Sequence, residues 1–387
     1  MKFHIMSEWK TYKLRDVVNI LDYKRIPLSS RQREQRRGKY PYYGAQGIID
    51  YIDDYIFDGI YLLVAEDGEN LRSKKQHIAQ LVSGKYWVNN HAHILESNGL
   101  CDIRYICYLL NVFDISGYIT GSAQPKLNQA NLLAIEITLP PLAEQKRIAD
   151  ILSAIDDKIE LNRRINANLE QQAQALFDEI MSCELEYDLI ANIPHVIETG
   201  KRPKGGVASI TSGIPSIGAE NIKGLGYYDY SKTKYITEEF ATTLKKGFVN
   251  GYELLIYKDG GKPGYFIPNF SIFGNGFPYN KMALNEHVFL LDFRNKGYNF
   301  FAYFYFQQEK IMRYLNAQGS KAAIPGINRN DIENISIPTI QNKVIQDFCR
   351  QIENIITHIL NNASESRKLS IVRETLLPKL MSGEIKV

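Results

Sequence analysis

The sequence predicts an α+β protein in which two related globular domains are each followed by one long helix. Apolar residues recur at helical spacing in two long stretches, and short blocks of sequence return in the same order in both halves of the chain. The segments between are rich in Gly, Tyr and short β-branched runs, which are typical of strands joined by tight turns. With 387 residues, 44% of them hydrophobic, the chain is long enough for two or three domains with real cores.

The first long helix is predicted from about Leu142 to Met181. Pro140 and Pro141 suit a first turn, and Glu144 lies near the positive end of the helix dipole. Its apolar stripe is spaced by three, four or seven residues, apart from the adjacent pair Ile151-Leu152 and one step of six, and consists of Ile148, Ile151, Leu152, Ile155, Ile159, Ile165, Leu169, Leu176 and Ile180. Forty helical residues span roughly 60 Å, so this element is predicted to extend beyond a single core as a spacer.

The second long helix is predicted from about Ile340 to Leu377. Its stripe contains Val344, Phe348, Ile352, Ile355, Ile359 and Ala363 and resumes after a phase slip at Leu369, Val372 and Leu376. The two stripes allow an antiparallel or a parallel pair of helices. The alternative is two unrelated amphipathic helices in one core.

The internal repeat extends beyond the two long helices. The matching blocks are Lys24-Arg25-Ile26-Pro27 with Lys201-Arg202-Pro203, Tyr43 to Ile48 with Ile217 to Ile222, Leu62 to Gly68 with Leu254 to Gly260, Asn89 to Leu95 with Asn285 to Leu290, and Gly121-Ser122 with Gly319-Ser320. Two segments, residues 31–37 and 224–246, are predicted to have no counterpart in the other half. The pattern indicates one shared frame with different insertions.

Several local elements follow from the same patterns. Strands are predicted at Ile60 to Val64 and His287 to Leu291, with turns at Asp67-Gly68 and Asp259-Gly260-Gly261. Shorter helices are predicted from Ile103 to Val112 and from Tyr298 to Leu315.

Composition restricts the possible classes of protein. No apolar run approaches the ~18 residues that a membrane span needs, and the N-terminus lacks the apolar core of a signal peptide, which predicts a cytoplasmic location without a membrane partner. The four cysteines are scattered and are expected to be buried small hydrophobes rather than zinc ligands or disulfides. The net charge is only +3, but seven Lys and Arg residues lie between Lys24 and Lys39 beside one Glu34. Such a run is either a phosphate-facing edge or a solvated loop.

Catalytic motifs are missing from the sequence. There is no phosphate loop, no G-x-G-x-x-G and no G-x-S-x-G, and residues 273–276 do not fit a methyl-donor loop. No Asn/Asp-Pro-Pro-aromatic tetrad is present to act on an extruded base. His91 and His93 have ligand-like spacing, but only His91 has a counterpart in the repeat, so a structural or base-contacting role is favoured over metal binding. We therefore predict a chain without catalytic residues, metal or cofactor.

The repeat, together with the run from Gly121 to Asn128 that leads into Leu139-Pro140-Pro141-Leu142-Ala143-Glu144-Gln145-Lys146-Arg147-Ile148, resembles the DNA-specificity subunits of type I restriction-modification systems. The resemblance covers nearly the whole chain, but the second copy has Pro338-Thr339-Ile340-Gln341-Asn342 in place of the Glu-Gln motif. It implies a first target-recognition domain at residues 1–141, a central conserved helix at 142–182, a second target-recognition domain at 183–339 and a C-terminal conserved helix at 340–387. The two helices are implied to pair antiparallel.

The resemblance also implies a function. Each target-recognition domain would read one half of a split, asymmetric double-stranded DNA site. The helices would dock two modification subunits, and restriction subunits with motor and nuclease activities would join the full complex. The competing hypothesis is a helical scaffold that binds partners and never binds DNA.

Candidate DNA contacts are predicted by residue type within the repeated loops. Phosphate contacts are predicted at Arg25, Arg31, Arg33, Arg36, Arg37, Lys39 and Lys126 in the first half, and at Lys201, Arg202, Lys204, Lys258, Lys262 and Lys321 in the second. Base-edge contacts are predicted at Gln46, Asn90, His91 and Gln124, and at Asn221, Asn285 and His287.

Overall fold

The structure is a computed structural model that describes residues 9–121, 124–260, 264–321 and 324–387. Its internal contacts divide the chain into two compact units. Unit 1 runs through Asp157 and includes Ser370–Val387, and unit 2 is Lys158–Leu369. Each unit therefore combines one globular domain with part of both long helices.

Unit 1 begins with a small globular domain built around a sheet. Its strands are β1 (Lys10–Lys13), β2 (Val18–Ile20), β3 (Arg37–Gly44), β4 (Gly47–Ile52), β5 (Phe57–Ala65), β6 (Ala79–Val88), β7 (Ala92–Ser97) and β8 (Glu136–Leu139). Its helices are α1 (Ser30–Gln35), α2 (Asn70–Ser73), α3 (Ile103–Val112) and α4 (Gln129–Ala134), followed by the long helix α5 (Leu142–Met181), which continues into unit 2.

Within the described residues, six of these strands form one sheet in the order β2-β7-β5-β6-β3-β4, and β1 pairs with β8. Neighbouring strands are antiparallel except β3 and β6, which are parallel. Both faces of β5 are buried: Leu62 and Val64 join one core cluster, and Leu63 joins another. The alternation follows from the two-residue period of a strand. Helix α3 and the start of α5 cover the first of these faces.

Unit 2 contains a related domain. Its strands are β9 (Tyr187–Leu189), β10 (Val196–Thr199), β11 (Ile214–Ile217), β12 (Lys234–Ile236), β13 (Phe248–Val249), β14 (Leu254–Tyr257), β15 (Phe270–Ile272), β16 (Met282–Leu284), β17 (Val288–Asp292) and β18 (Ser336–Pro338). Its helices are α6 (Glu238–Thr243), α7 (Lys296–Phe306), α8 (Glu309–Gly319), α9 (Arg329–Glu333) and α10 (Lys343–Met381), of which α10 returns into unit 1.

The strand topology confirms the internal repeat. The sheet order β10-β17-β14-β15 matches β2-β7-β5-β6, and β9 pairs with β18 as β1 pairs with β8. The parallel pair of β11 and β16 corresponds to β3 and β6, except that residues 273–281 interrupt what is one continuous strand in unit 1. Strand β12 lies antiparallel to β11 as β4 lies antiparallel to β3. The prediction that residues 224–246 have no counterpart is therefore wrong for β12.

Two of the shorter predicted elements are confirmed by the structure, and one is wrong. Helix α3 has the predicted bounds, and the strand predicted at Ile60 lies within β5. The helix predicted from Tyr298 to Leu315 is instead two helices, broken at Gln307 and Gln308. The reason is burial: ten of the eleven residues of α7 are buried, whereas α8 buries three, so the chain must change direction to keep both helices on the core.

The long helices confirm the predicted architecture and correct its details. Helix α5 has the predicted bounds, but α10 begins at Lys343 and ends at Met381. In unit 1 Asp156 lies 2.6 Å from Arg373, and in unit 2 Lys158 lies 3.1 Å from Glu365. Residue numbers rise along one helix as they fall along the other, so the helices are antiparallel.

The buried stripe of each helix differs from the predicted one in a few places. Ile151, Ile165, Val344 and Val372 are exposed, while Ile345 is buried.

Cys183 is also exposed, against the expectation that all four cysteines are buried. Among the described residues, no helix combines the length and the hydropathy that a bilayer crossing requires.

Candidate DNA interface

In unit 1, three connections meet at one edge of the sheet. Residues 66–68 follow β5, residues 89–91 join β6 to β7, and residues 125–127 pass beside them. The Glu66 N–H donates to the His91 carbonyl over 2.9 Å, and the Leu127 N–H donates to the Glu66 carbonyl over 2.8 Å. We call these three segments the first polar edge.

His91 is held on the first polar edge by two neighbours. Its backbone N–H donates to Asn89 Oδ1 over 2.8 Å, and its ring Nδ1 lies 2.7 Å from Asp67 Oδ2. The His91 side chain is 49% exposed, and Nε2 has no partner among the described residues. The ring is thus oriented by the protein while Nε2 can bond to a base edge or a phosphate.

Unit 2 repeats these contacts at residues 258–260, 285–287 and 325–327, which we call the second polar edge. The Lys258 N–H donates to the His287 carbonyl over 2.9 Å, and the Ile327 N–H to the Lys258 carbonyl over 2.8 Å. The His287 N–H donates to Asn285 Oδ1 over 2.8 Å, and its Nδ1 bonds to Asp259. The backbone frame and the histidine–aspartate pair are therefore the same in both units.

The charges on this frame differ between the units. Glu66 lies 2.7 Å from Arg25 and 3.2 Å from Lys126. Burial opposes ionisation of Glu66, but the hydrogen bonds from Arg25 and Lys126 outweigh it, so the pKa of Glu66 is lowered. The second polar edge has Lys258 in the place of Glu66, and its Nζ donates to the Glu286 carbonyl over 3.1 Å. One backbone frame thus presents two different surfaces.

The basic residues between Lys24 and Lys39 divide into those that form ion pairs within the domain and those that do not. Arg33 lies 3.0 Å from Asp50 and 5.3 Å from the ring centre of Tyr42. Arg36 lies 2.9 Å from Asp53 and 4.9 Å from the Trp87 ring. Both guanidinium groups therefore stabilise the domain itself by ion pairing and cation–π contact.

The other cations of this run face solvent. Arg31, Arg37 and Lys39 are exposed and form no ion pair with any residue that the structure describes. Helix α1 begins at Ser30 and presents Arg31, while β3 begins at Arg37. These three side chains, together with the exposed Lys24, which also forms no ion pair within the described ranges, are the cations of the run whose charge is available to a phosphate.

Comparisons with known proteins indicate the family to which part of the chain is similar. Residues 6–171 match the family model described as the type I restriction modification DNA specificity domain. Residues 6–171 therefore belong to the family of type I restriction-modification DNA specificity domains.

The relatives of the chain differ in how much of it they match. A putative type I restriction enzyme specificity subunit of Haemophilus influenzae is 36% identical over 148 residues, which cover 38% of this chain and 37% of the relative. The MjaIX specificity subunit of Methanocaldococcus jannaschii is 25% identical over 319 residues, covering 76% of this chain and 72% of that one. The crystal structure of a type I S subunit from M. genitalium superposes with a TM-score of 0.62 over 98% of both chains at 14% identity, which shows a shared fold.

The remaining predicted contact residues occupy three kinds of environment. Gln46, Asn90, Gln124, Lys126, Lys201, Lys204 and Lys321 are exposed. Arg25, Asn221 and Asn285 are instead turned into the protein: Arg25 also donates to the Asn90 and Ala92 carbonyls, and Asn221 Oδ1 accepts from the Gly218 N–H. Arg202 lies 2.5 Å from Glu286. Lys262, like Gly261 of the predicted turn, lies outside the described residues.

His93 belongs to a buried charged cluster rather than to the exposed surface. It is 1% exposed, with Nδ1 2.5 Å from Asp22 and Nε2 2.7 Å from the Leu127 carbonyl. Asp22, Glu66 and His93 lie close enough together to hold a metal ion. However, Arg25 already pairs with both carboxylates, at 3.2 and 2.7 Å. The geometry therefore favours a structural ion-pair cluster over a metal site.

The two long helices share a polar layer in unit 2. Asn162 is 1% exposed and donates to Glu365 over 2.8 Å and to Ser366 over 3.3 Å. Asn166 donates to the Ile359 carbonyl and accepts from Asn362, both over 2.9 Å. Asn162 lies between Ile159 and Ile165, where the predicted apolar stripe has its step of six residues, so the polar layer explains that gap.

The predicted contact set omits one basic pair, Lys245 and Lys246. Both side chains are exposed, and they line a cleft with Lys201. They lie in a segment that shows no sequence match to unit 1, so the repeat alone did not indicate them. The sequence signal that could have indicated them is a pair of adjacent lysines shortly before strand β13.

Proposed function

We propose that this chain is the non-catalytic DNA-binding subunit of a type I restriction-modification complex and that each domain reads one half of a bipartite, asymmetric double-stranded DNA site. The observation that supports this most directly is the repetition of one polar edge with different charges. Two domains that share one backbone frame but differ in surface charge are suited to bind two different half-sites.

The two edges carry the groups that base readout requires. On the first edge, the His91 imidazole is oriented by a carboxylate and exposed at Nε2, so it can bond to a base edge in the major groove. On the second edge, His287 Nε2 lies 3.4 Å from Glu286 and would exchange that contact for a base edge. The first edge contains Asn90 and Lys126, and the second contains Lys258; the other exposed candidates are Gln46 and Gln124 in unit 1 and Lys201 and Lys204 in unit 2. Arg31, Arg37 and Lys39 would add contacts to the phosphate backbone.

Partner subunits would supply the chemistry. The sequence has no methyl-donor loop and no base-extrusion tetrad, and the relatives are named as specificity subunits. In this proposal two modification subunits dock on the long helices, where Ile151, Leu161 and Ile165 of α5 are exposed, and restriction subunits join the full complex. A role on DNA implies a cytoplasmic location for the chain.

Methylome sequencing tests the proposal. Cells that express the chain with its modification subunits should methylate a two-part asymmetric motif, and cells that lack the chain should not. A helical scaffold without DNA binding predicts an unchanged methylome. Methyl transfer by the isolated chain would contradict the non-catalytic assignment.

A further inference from the structure

Unit 2 contains a basic cleft between two loops. Its volume is about 610 Å³, and it is lined by Lys201, Lys245, Lys246, Thr199, Phe240 and Leu244. The loops are residues 200–204, which follow β10, and residues 244–247, which join α6 to β13. Together they contain five Lys or Arg residues and no Asp or Glu. We call this feature the lysine cleft.

Two glycines allow the loops to approach closely. A Cβ on Gly247, whose φ is +81°, would lie 2.8 Å from Gly200 Cα, and a Cβ on Gly200 would lie 1.6 Å from the Leu284 carbonyl oxygen. The Gly247 N–H donates to Glu198 Oε2 over 2.8 Å, and the Leu284 N–H donates to the Gly247 carbonyl over 2.7 Å. These contacts fix both loops on the sheet, so the cleft is preformed.

The charges of the lysine cleft are not neutralised within the domain. Lys201, Lys245 and Lys246 form no ion pair with any residue in the described ranges. Of the nearby carboxylates, Glu286 pairs with Arg202 at 2.5 Å, and Glu198 accepts from the Gly247 N–H and forms no ion pair with these lysines. Three ammonium groups therefore face a concave surface without a counter-ion from the described part of the chain.

The same place in unit 1 carries the opposite charge. Phe57 at the start of β5 pairs with Tyr86 of β6, and Phe248 at the start of β13 pairs with Ala283 of β16. Shortly before these strands lie Asp53-Asp54 in unit 1 and Lys245-Lys246 in unit 2. Asp53 and Asp54 are used to hold Arg36. The lysine cleft is thus specific to unit 2 and is not part of the backbone frame that the two units share.

We propose that the lysine cleft binds backbone phosphodiesters of the DNA duplex, with Lys245 and Lys246 each neutralising one phosphate and Lys201 supporting them. This inference rests on the proposed function. The cleft adjoins the second polar edge, because the Gly200 N–H donates to the Asn285 carbonyl over 3.1 Å. Phosphates held there would position the duplex for His287, while the apolar surfaces of Phe240 and Leu244 contact a deoxyribose.

The test is the salt dependence of DNA binding by the full chain, alone and assembled with its modification subunits, measured by fluorescence anisotropy with labelled duplexes. Lys245→Ala with Lys246→Ala should reduce the slope of log affinity against log salt by about 1.8, from ~0.9 for each phosphate that is no longer neutralised. The weakening should be equal for specific and unrelated duplexes. Lys245→Arg with Lys246→Arg should retain the slope.

The matched control is Lys232→Ala with Lys281→Ala, which removes the same net charge from lysines already paired with Asp229 and Glu238. It should leave the slope near that of the unaltered chain. The inference is overturned if the unaltered chain binds DNA and the Lys245 and Lys246 variant keeps its slope, or if that variant loses a modification subunit instead. Absence of DNA binding by the unaltered chain, alone and in the complex, would instead refute the proposed function.

Discussion

Neighbouring cations of one sequence run have different roles because their surroundings differ. Arg33 and Arg36 each lie between a carboxylate and an aromatic ring, whereas Arg31 and Arg37 extend into solvent. A desolvated guanidinium stabilises the fold, and an exposed one is free for a ligand.

The first prediction separates these two roles. Arg31→Ala with Arg37→Ala should weaken binding to all DNA sequences and lower the salt slope by ~0.9 for each phosphate that is no longer neutralised, with little change in thermal stability. Arg33→Ala with Arg36→Ala should lower the free energy of unfolding by about 1–2 kcal/mol, because this variant lacks the ion pairs and the cation–π interactions. Equal effects of both pairs on slope and stability would contradict this division. The measurements are anisotropy titrations and urea unfolding.

The second prediction concerns the two histidine–aspartate pairs. His91→Gln should relax base preference in one half-site, by about 1–3 kcal/mol at the position it contacts, and His287→Gln should do so in the other half-site. Methylation of a library with randomised half-sites would measure both. His358→Gln, an exposed position on α10, is the matched control. Intact preferences with reduced stability would show that the pairs only hold the loops.

The third prediction follows from the lowered pKa of Glu66. Because the folded pKa lies below the ordinary value of 4.5, its pairing stabilises the protein fully above that pH, and this stabilisation disappears as the pH falls through the folded pKa. Glu66→Gln should therefore cost about 1–3 kcal/mol at pH 7 and progressively less below pH ~4.5. Urea unfolding between pH 7 and 3 measures this. A pH-independent difference would contradict it, and the exposed Glu34→Gln should change little at any pH.

At the scale of elements, the antiparallel helices combine an apolar stripe with a polar layer. Apolar stripes alone allow several registers, because each turn resembles the next. Asn162 has its partners Glu365 and Ser366 at one alignment of α5 and α10. The polar layer therefore selects the register of the pair in unit 2.

The fourth prediction tests this layer. Asn162→Ala removes the buried hydrogen bonds and should lower the urea midpoint, at a cost of about 1–3 kcal/mol. Asn361→Ala, an exposed asparagine of α10, is the control and should be nearly neutral. Hydrogen exchange of amides near Asn162 should accelerate in the first variant. If both variants behave alike, the layer does not contribute to pairing.

For the whole molecule, the repeat predicts modular recognition. Strands β1 and β8 pair with each other beside α5, and the corresponding β9 and β18 pair beside α10. Each globular domain thus begins and ends at one small sheet. A domain can be exchanged there without changing the long helices.

The fifth prediction is a graft between specificity subunits. Replacing residues 18–135 with the equivalent segment of another specificity subunit, while keeping β1 and β8, should change one half of the methylated motif and leave the other half unchanged. Replacing residues 190–335 should change the other half. Methylome sequencing of the assembled complexes is the measurement. A graft that alters both halves would contradict the model of two independent readers.

The sequence by itself determined the elements whose signals are periodic or repeated. Helix α5, helix α3, the long second helix and the two-domain repeat follow from spacing and matching blocks, because amphipathic periodicity and turn residues are local properties. The polar residues of the repeated loops, such as the exposed His91 and the half-buried His287, followed from the same blocks.

Only the tertiary structure decided which charged and amide groups are free. Arg25 and Asn221 have the composition of contact residues but are turned inward by their own partners, Glu66 and the Gly218 backbone. The polar gap at Asn162, the break between α7 and α8, and the lysine cleft likewise depend on neighbours that are brought together by folding. A side chain is available to a ligand when no group of its own chain neutralises it, and that condition is set by three-dimensional packing rather than by local sequence.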